Sequence, residues 1–466
     1  MWLGNRFRVL GLLCLDGALA VLCGLAAIRL RFGEQAEAVF NEQHVWLRLL
    51  LLAGVTTASF YLLDLYRLNA GGSAPRRTRH PLSIVRPVGQ AIGLASFALA
   101  LIFYLAPQMK LGRGVFLVSL VLMTGVMSGW RLAAAWLLGR RALAERVLIL
   151  GTGDDAVGIA REALQRRESG YEVVGFIGND PRLVGRSLIN PSVLGVTDDI
   201  RQVTHRHRVN RVVVATEGMQ ESLPLESLLD LRLGERLAIE EAASFYERLT
   251  GKITWEQLPG RLVFAESPWT KRLYNRARRL LDITLAGIGL PLGAPLIGLA
   301  AIAIKLDSPG PVFYRQERTG QYGRTFNIIK LRSMRTDAEK NGPVWAAQAD
   351  ARITRIGRWL RKLRVDELPQ LINVLRGEMS FIGPRPERPT FVAQLEQSIP
   401  YFAQRHLVKP GLTGWAQVRA PYCSSLEDAR ERHQYDLYYI KNQSPTLDAL
   451  ILLETVRVVF TGKLGR

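Results

Sequence analysis

Two adjacent acids, Asp366 and Glu367, stand in the segment "LRVDELPQLINVL". A carboxylate can attack phosphorus, hold a divalent cation or cap a helix, and its neighbours decide among these. Pro369 belongs in a first turn, and Val365, Leu368, Leu371, Ile372 and Leu375 recur at helical spacing. An amphipathic helix is therefore expected to begin at the acids. Carboxylates are commonplace there because they complement the helix dipole, and spacing alone favours that capping role. A second group changes the weighing. "GPRPE" locks Arg385 between Pro384 and Pro386 just beyond the helix, and upstream "PGPVFYRQERTGQYGRTFNIIKLRSM" strings Arg315, Arg318, Arg324, Lys330, Arg332 and Arg335 among turn-forming glycines and prolines. Guanidinium groups offer paired donors to phosphate oxygens, although a basic surface resting on acidic lipid explains any single one equally well. An acid pair, a locked arginine and a basic approach together suit phosphoryl chemistry, with a carboxylate nucleophile, an acid holding Mg2+ and an arginine balancing charge.

These residues need elements to hold them, and composition says where those elements reside. The chain has 466 residues, room for two or three domains, and is 48% hydrophobic yet carries a formal net charge of +20. A membrane protein held against an anionic cytoplasmic leaflet combines the two readily. Because the basic residues cluster beside hydrophobic segments, no nucleic-acid partner is expected. Four apolar runs, about Val9 to Ile28, Val45 to Tyr66, Val88 to Ala106 and Val115 to Leu138, are each near the ~20 residues of a bilayer-crossing helix. Arg6 and Arg8 precede the first run. Arg67, Arg76, Arg77, Arg79 and Arg86 join the second to the third, and Arg140, Arg141 and Arg146 follow the fourth. Glu34, Glu37 and Glu42 offset Arg29 and Arg31 in the first outer loop, so the chain starts and resumes in the cytoplasm. Packing or snorkelling is the role expected of Asp16, Arg48, Asp64 and Arg131, which lie in or beside spans. Cys14, Cys23 and Cys423 suggest neither a disulfide framework nor a metal site, and the six histidines show no ligand pattern.

Next, "RVLILGTGDDAVGIAREAL" reads as strand, glycine turn and helix, followed by the strand "YEVVGFI", a helix near Asp198 to His205 and the strand "RVVVAT". That alternation implies a parallel sheet with helices on both faces. Gly151, Gly153 and Ala156 meet the loose dinucleotide fingerprint, but such glycines serve any tight turn, and Asp154 and Asp155 would repel a pyrophosphate. A fifth apolar run, "LLDITLAGIGLPLGAPLIGLAAIAIKL", is interrupted by Pro291, Gly293 and Pro295, so a break or sharp bend is expected near Pro295. Lys271, Arg272, Arg276, Arg278 and Arg279 before it, and Lys305 and Arg315 after it, keep both ends in the cytoplasm. The expectation is a helix over about residues 280–304 that enters the leaflet, bends and returns.

From about Lys271 to Arg466 the chain resembles the bacterial sugar transferases, that is, the polyprenyl-phosphate hexose-1-phosphate transferases or monotopic phosphoglycosyl transferases. The resemblance rests on "ARRLLDITLA", "SPGPVFYRQERTGQYGRTFNIIKLRSM", "LRVDELPQLINVLRGEMSFIGPRPE" and "KPGLTGWAQV", in that order. The N-terminal part is similar to the large, exopolysaccharide-initiating members. The resemblance implies that Asp366 is the nucleophile, Glu367 its partner, both near Mg2+, that Arg385 binds phosphate, and that Pro295 is the kink of the re-entrant helix. It also implies a reaction: Asp366 attacks the β-phosphorus of a UDP-hexose, UMP leaves, and undecaprenyl phosphate takes up the sugar phosphate from the enzyme. Lys330, Arg332 and Arg318 are the further phosphate-binding candidates. One departure is Ala294, where the family usually has a serine whose hydroxyl can bond the carbonyl freed by the proline.

The expected architecture is a membrane protein of α plus α/β class: four transmembrane helices over 1–140, a Rossmann-like middle domain over 141–265 without catalytic role, and a catalytic domain over 266–466. It is placed in the bacterial inner membrane, multi-pass, with the active site on the cytoplasmic face. Trp415 can anchor at the headgroups or fill a core, Lys409 can meet phosphate or lipid, and the tail "LDALILLETVRVVF" can pack on the domain or lie on the bilayer. The sequence decides none of these, nor the hexose, nor whether a homodimer forms. Two rivals have different chemistry. A membrane-tethered NAD-dependent nucleotide-sugar dehydratase would need Y-x-x-x-K, and no tyrosine here has a lysine four residues later: Tyr171 is followed by Gly175, Tyr246 by Thr250 and Tyr438 by Asn442. A non-enzymatic scaffold of a polysaccharide assembly machine would carry an inert acid pair.

Overall fold

The computed structural model describes residues 2–40, 44–63, 65, 82–138, 145–166, 170–215, 223–235, 237–253, 268–338, 350–420 and 425–461. Glu42, Asp64, Arg67, Arg76, Arg77, Arg79, Arg140, Arg141 and Cys423 lie outside them. The chain divides into two compact units, Met1–Leu249 and Thr250–Arg466.

In the first unit, α1 (Trp2–Phe32), α2 (Val45–Leu62), α3 (Leu82–Leu105) and α4 (Arg113–Leu138) pack as a closed ring, each on the next and α4 back on α1. All four are long and apolar enough to cross a membrane. Ala20, Leu49, Leu99 and Met123 fill the interior while Leu22, Phe97 and Val121 stay exposed outside, so these helices are apolar all round. Inside, Asp16 accepts from both terminal nitrogens of Arg131, at 3.2 and 2.6 Å, and the guanidinium lies 4.6 Å above the Phe60 ring. Arg48 reaches the Gln108 carbonyl at 3.3 Å.

The same unit holds a parallel sheet in the order β3-β2-β1-β4-β5: β1 (Glu145–Leu150), β2 (Tyr171–Gly178), β3 (Val193–Val196), β4 (Arg211–Val214) and β5 (Ala238–Glu241). A sheet covered on both faces needs near-continuous apolar strands. Val147 and Ile149 point to one core with Ala160 and Phe245, and Leu148 and Leu150 point to the other with Ile200 and Leu231. At Gly151, φ is +131°, and a Cβ would come within 2.9 Å of the Ala215 Cβ. Close strand–turn packing therefore requires this glycine before any ligand does.

The second unit is organised along α5 (Pro268–Asp307). Of the break or sharp bend expected near Pro295, the break does not occur: one helix runs through both Pro291 and Pro295. The two prolines sit four residues apart on the exposed side, whereas Gly293 is buried against the domain. The ring clashes thus fall on the face away from the packing that holds the helix. That packing recurs every three or four residues. Tyr274 donates to Asp448 at 2.5 Å, Arg279 to the Val374 and Leu375 carbonyls at 2.6 and 2.7 Å, and Asp282 accepts from Phe381 N at 2.9 Å. Ala286 and Leu290 join a core with Leu371 and Val374, and Ile297, Ala300 and Ile304 join another with Leu331 and Leu360. Leu273, Leu280, Leu292, Leu299 and Leu306 are exposed on the other side.

An antiparallel hairpin follows, β6 (Phe313–Thr319) with β7 (Thr325–Leu331), then α6 (Arg355–Lys362), a 3-10 turn (Val365–Gln370) and α7 (Leu371–Arg376). The two short parallel strands β8 (Ser380–Ile382) and β9 (Gly411–Thr413) bring the "GPRPE" and "KPGLTGW" segments together. Gly383 and Gly411 are needed there, because a Cβ on Gly411 would lie 2.1 Å from Gly383 N. Trp415 fills a core, donating to the Gly251 carbonyl at 2.9 Å. The tail forms α8 (Pro445–Thr461), which buries Leu447 and Ile451 on the domain and leaves Leu453 and Val456 exposed.

Candidate active site

The acids do not open a long helix. They sit in the 3-10 turn, which Arg364 enters with a left-handed backbone (φ 58°), and no side chain caps that turn. The expected amphipathic helix is thus divided into the turn Val365–Gln370 and α7. Small residues on α5 let the turn lie close. A Cβ on Gly289 would be 3.3 Å from Leu371, and one on Gly293 would be 3.5 Å from Leu368. Both acids are buried as a result.

Although adjacent, the two carboxylates differ in surroundings. Glu367 Oε1 accepts from Arg385 at 3.1 Å and faces Lys330 Nζ at 3.6 Å, while its Oε2 accepts from Arg364 at 3.2 Å. Burial alone would raise its pKa, but Arg385, Lys330 and Arg364 outweigh it and bring the group to about 2. Asp366 goes the other way. Burial and the neighbouring Glu367 charge push its pKa up, and Lys330, Arg361 and Arg364 only partly oppose them. Its buried Oδ1 has no hydrogen-bond partner among the described residues. A buried oxygen without a donor is costly unless something else uses it. Burial also depresses Lys330, to about 8, against the opposing charge of Glu367.

Arg385 is aimed by its backbone. Four successive carbonyls of its loop are each held at 2.9 Å: Pro384 O by Gly411 N, Arg385 O by Arg405, Pro386 O by Arg318 and Glu387 O by Thr319 N. Arg405 is in turn buried against Asp436 at 3.0 Å. The structure therefore brings Asp366, Glu367, Lys330 and Arg385 together and uses Arg318 to hold the loop. Arg332 is directed elsewhere: it is buried and donates to the Ser308 and Pro309 carbonyls, each at 2.7 Å, closing the end of α5. Pro295 lies on α5 and not among these groups. Sequence reasoning missed three residues. Arg364 stood two places before Asp366 in the quoted motif, whereas Arg405 and Asp436 carried no local signal.

A cation fits one of the two acids. Among the described residues no group of three or more His, Cys, Asp or Glu side chains could hold a metal, and the oxygens of Glu367 are occupied by cations. The free Oδ1 of Asp366 suits Mg2+, which commonly takes one or two carboxylates and completes its shell with phosphate and water.

Residues 273–462 match the family model described as bacterial sugar transferase. The chain is 45% identical over 216 residues to a UDP-N-acetylgalactosamine-undecaprenyl-phosphate N-acetylgalactosaminephosphotransferase of Aeromonas hydrophila, covering 46% of this chain and 51% of that protein. With an undecaprenyl-phosphate glucose phosphotransferase of Komagataeibacter xylinus it shares 33% identity over 331 residues, 68% of this chain and 59% of the relative. A UDP-glucose:undecaprenyl-phosphate glucose-1-phosphate transferase of Caulobacter vibrioides is 44% identical over 186 residues, 40% of this chain and 70% of its own length. The chain thus spans about half the length of the first of these relatives.

Proposed function

The chain belongs to the bacterial sugar transferase family, and from that premise we propose that it moves a sugar-1-phosphate from a UDP-sugar to undecaprenyl phosphate, with Asp366 as nucleophile. The carrying observation is the asymmetry of the acids: Asp366 keeps a free buried oxygen beside a Glu367 held by three cations. An Asp366 oxygen attacks the β-phosphorus, the bond to the bridging oxygen breaks, and UMP leaves with that electron pair. Arg385 and Lys330 balance the negative charge gathering on the phosphoryl oxygens. An oxygen of undecaprenyl phosphate then attacks the same phosphorus and frees the Asp366 carboxylate. Mg2+ held by Asp366 and the donor's phosphates would draw electron density from the reacting phosphorus.

One substrate is soluble and the other is dissolved in lipid, so the acids must sit at the bilayer surface. A 40-residue helix is about 60 Å long, and a spanning one would leave roughly 30 Å clear of its domain. The contacts of α5 from Tyr274 to Asp307, with leucines exposed on the opposite side, support a helix that enters one leaflet, bends at its proline pair while staying helical, and returns. The reading places the enzyme in the bacterial inner membrane, active on the cytoplasmic face, at the first membrane step of exopolysaccharide synthesis. It is tested by UMP release from UDP-glucose and UDP-N-acetylgalactosamine, wild type beside Asp366→Asn. Release that needs Asp366, with sugar phosphate trapped on the enzyme when undecaprenyl phosphate is withheld, is expected. Wild-type turnover by Asp366→Asn would sink the covalent route.

A further inference from the structure

Side chains along a strand alternate between two faces, so the hairpin β6–β7 has two different surfaces. Lys330, paired with Tyr314, belongs to the surface turned toward Glu367. Arg315, paired with Ile329, belongs to the other. On that other side the hairpin, its tip and the end of α7 border an open groove of about 660 Å3, within the usual range for small-molecule sites. Arg315, Arg324 and Arg376 line it with Tyr322, Phe326 and Glu378, and none of Asp366, Glu367, Lys330 or Arg385 does.

Among the described residues none of these three arginine side chains has an acid partner. Guanidinium groups gathered without counter-charge suit phosphate oxygens. Tyr322 is 69% exposed on a left-handed backbone at the hairpin tip (φ 57°), and it offers the groove an aromatic face on which a base can stack. Glu378 favours a phosphate-bearing ligand that also carries hydrogen-bond donors. Its carboxylate accepts from Asn373 at 2.6 Å and keeps lone pairs for further donors. Ribose hydroxyls and a base N–H supply such donors, whereas a phosphodiester group itself carries none. We infer that this groove binds a nucleoside phosphate, with its phosphates on Arg315, Arg324 and Arg376, at a site separate from the acid pair. The ligand's source is a sugar nucleotide, the nucleotide product or another nucleotide effector.

The test is photo-crosslinking of 4-thio-UMP to the full chain in nanodiscs, with equilibrium binding of labelled UMP, AMP and GMP beside it. Binding is read without turnover, so Asp366→Asn protein serves as well as wild type and the outcome stands apart from the reaction proposed above. Adducts are expected on peptides bearing Tyr322, Phe326 or Glu378. They should vanish, with affinity falling tenfold or more, in Arg315→Ala/Arg376→Ala and in Arg324→Glu, while adducts near Asp366 persist. Preference for UMP points to donor or product, and preference for a purine points to an effector. The inference is overturned if adducts fall only near the acid pair, or if the variants bind every nucleotide as wild type does. It is equally overturned if phosphatidylglycerol nanodiscs abolish groove labelling that phosphatidylcholine nanodiscs allow, since the groove is then a lipid-phosphate site.

Discussion

At the scale of single residues the site depends on two charges moved in opposite senses. In the proposed transfer Asp366 must be ionised to attack, and burial beside Glu367 raises its pKa above the ordinary aspartate range. Lys330 must be protonated to balance charge, and burial lowers it to about 8. The proposed transfer should therefore be bell-shaped in pH. Its acid limb should lie above that of an ordinary aspartate, where Asp366 takes up a proton, and its alkaline limb near pH 8, where Lys330 loses one. Lys330→Arg keeps the charge, so its alkaline limb should move at least about two units upward. An unmoved limb would remove Lys330 from the charge balance. A second expectation concerns Arg405. Deleting one partner of a buried ion pair costs about 3–5 kcal/mol, so Arg405→Ala should lower the melting temperature markedly and weaken donor binding, and Arg405→Lys should restore part of both. Equal melting temperatures for wild type and Arg405→Ala would count against the clamp. The acids and Arg385 were legible because the Pro-Arg-Pro lock and adjacent carboxylates are local patterns. The different fates of Asp366 and Glu367 were not, since they depend on Lys330 and Arg364 converging on one carboxylate in three dimensions. Arg332 shows the reverse failure: its type suggested phosphate, yet its position at the end of a long helix committed it to carbonyls.

Among the elements, the smallest strands do the most positioning. β8 and β9 hold three residues each, and their pairing joins two motifs separated by more than twenty positions. Gly411 approaches Gly383 too closely for any side chain. Gly411→Ala should cost about 1–3 kcal/mol by overpacking and, because Gly411 N holds the Pro384 carbonyl, should also displace Arg385. Donor KM is expected to rise more than the melting temperature falls would suggest. A variant that loses stability with unchanged KM would separate the strand pair from Arg385. The glycines were visible in the sequence, but their reason was not, because close backbone approach between distant segments leaves no periodic trace. The parallel sheet, by contrast, was readable from its apolar strands and glycine turns, since strand, turn and helix are all local patterns.

On the scale of the whole molecule the disposition of α5 decides which side of the bilayer the acids face. Hydropathy alone cannot decide it: α5 contains a stretch more apolar than those of three of the four N-terminal helices, and all five are long enough to cross. Of the two outcomes that backbone chemistry allows at the prolines, a break or a bend, the break is excluded because the helix continues through both. What favours the proposed re-entrant reading of α5 is its continuous contact with one domain, together with basic residues at both ends. Membrane-impermeant maleimide can read this in a chain whose Cys14, Cys23 and Cys423 are replaced by serine. Single cysteines at Arg276 and Lys305, both exposed and on opposite sides of the proline pair, should label only from the cytoplasmic face. The distance between them along the helix, 29 residues or about 44 Å, exceeds the ~30 Å hydrocarbon thickness, so a spanning helix must place them on opposite sides. Labelling of Lys305→Cys from the outer face alone would make α5 a true span and put the acid pair on the wrong side for a cytoplasmic sugar nucleotide. The proposed reaction would then fail for reasons of geography, whatever the chemistry of Asp366.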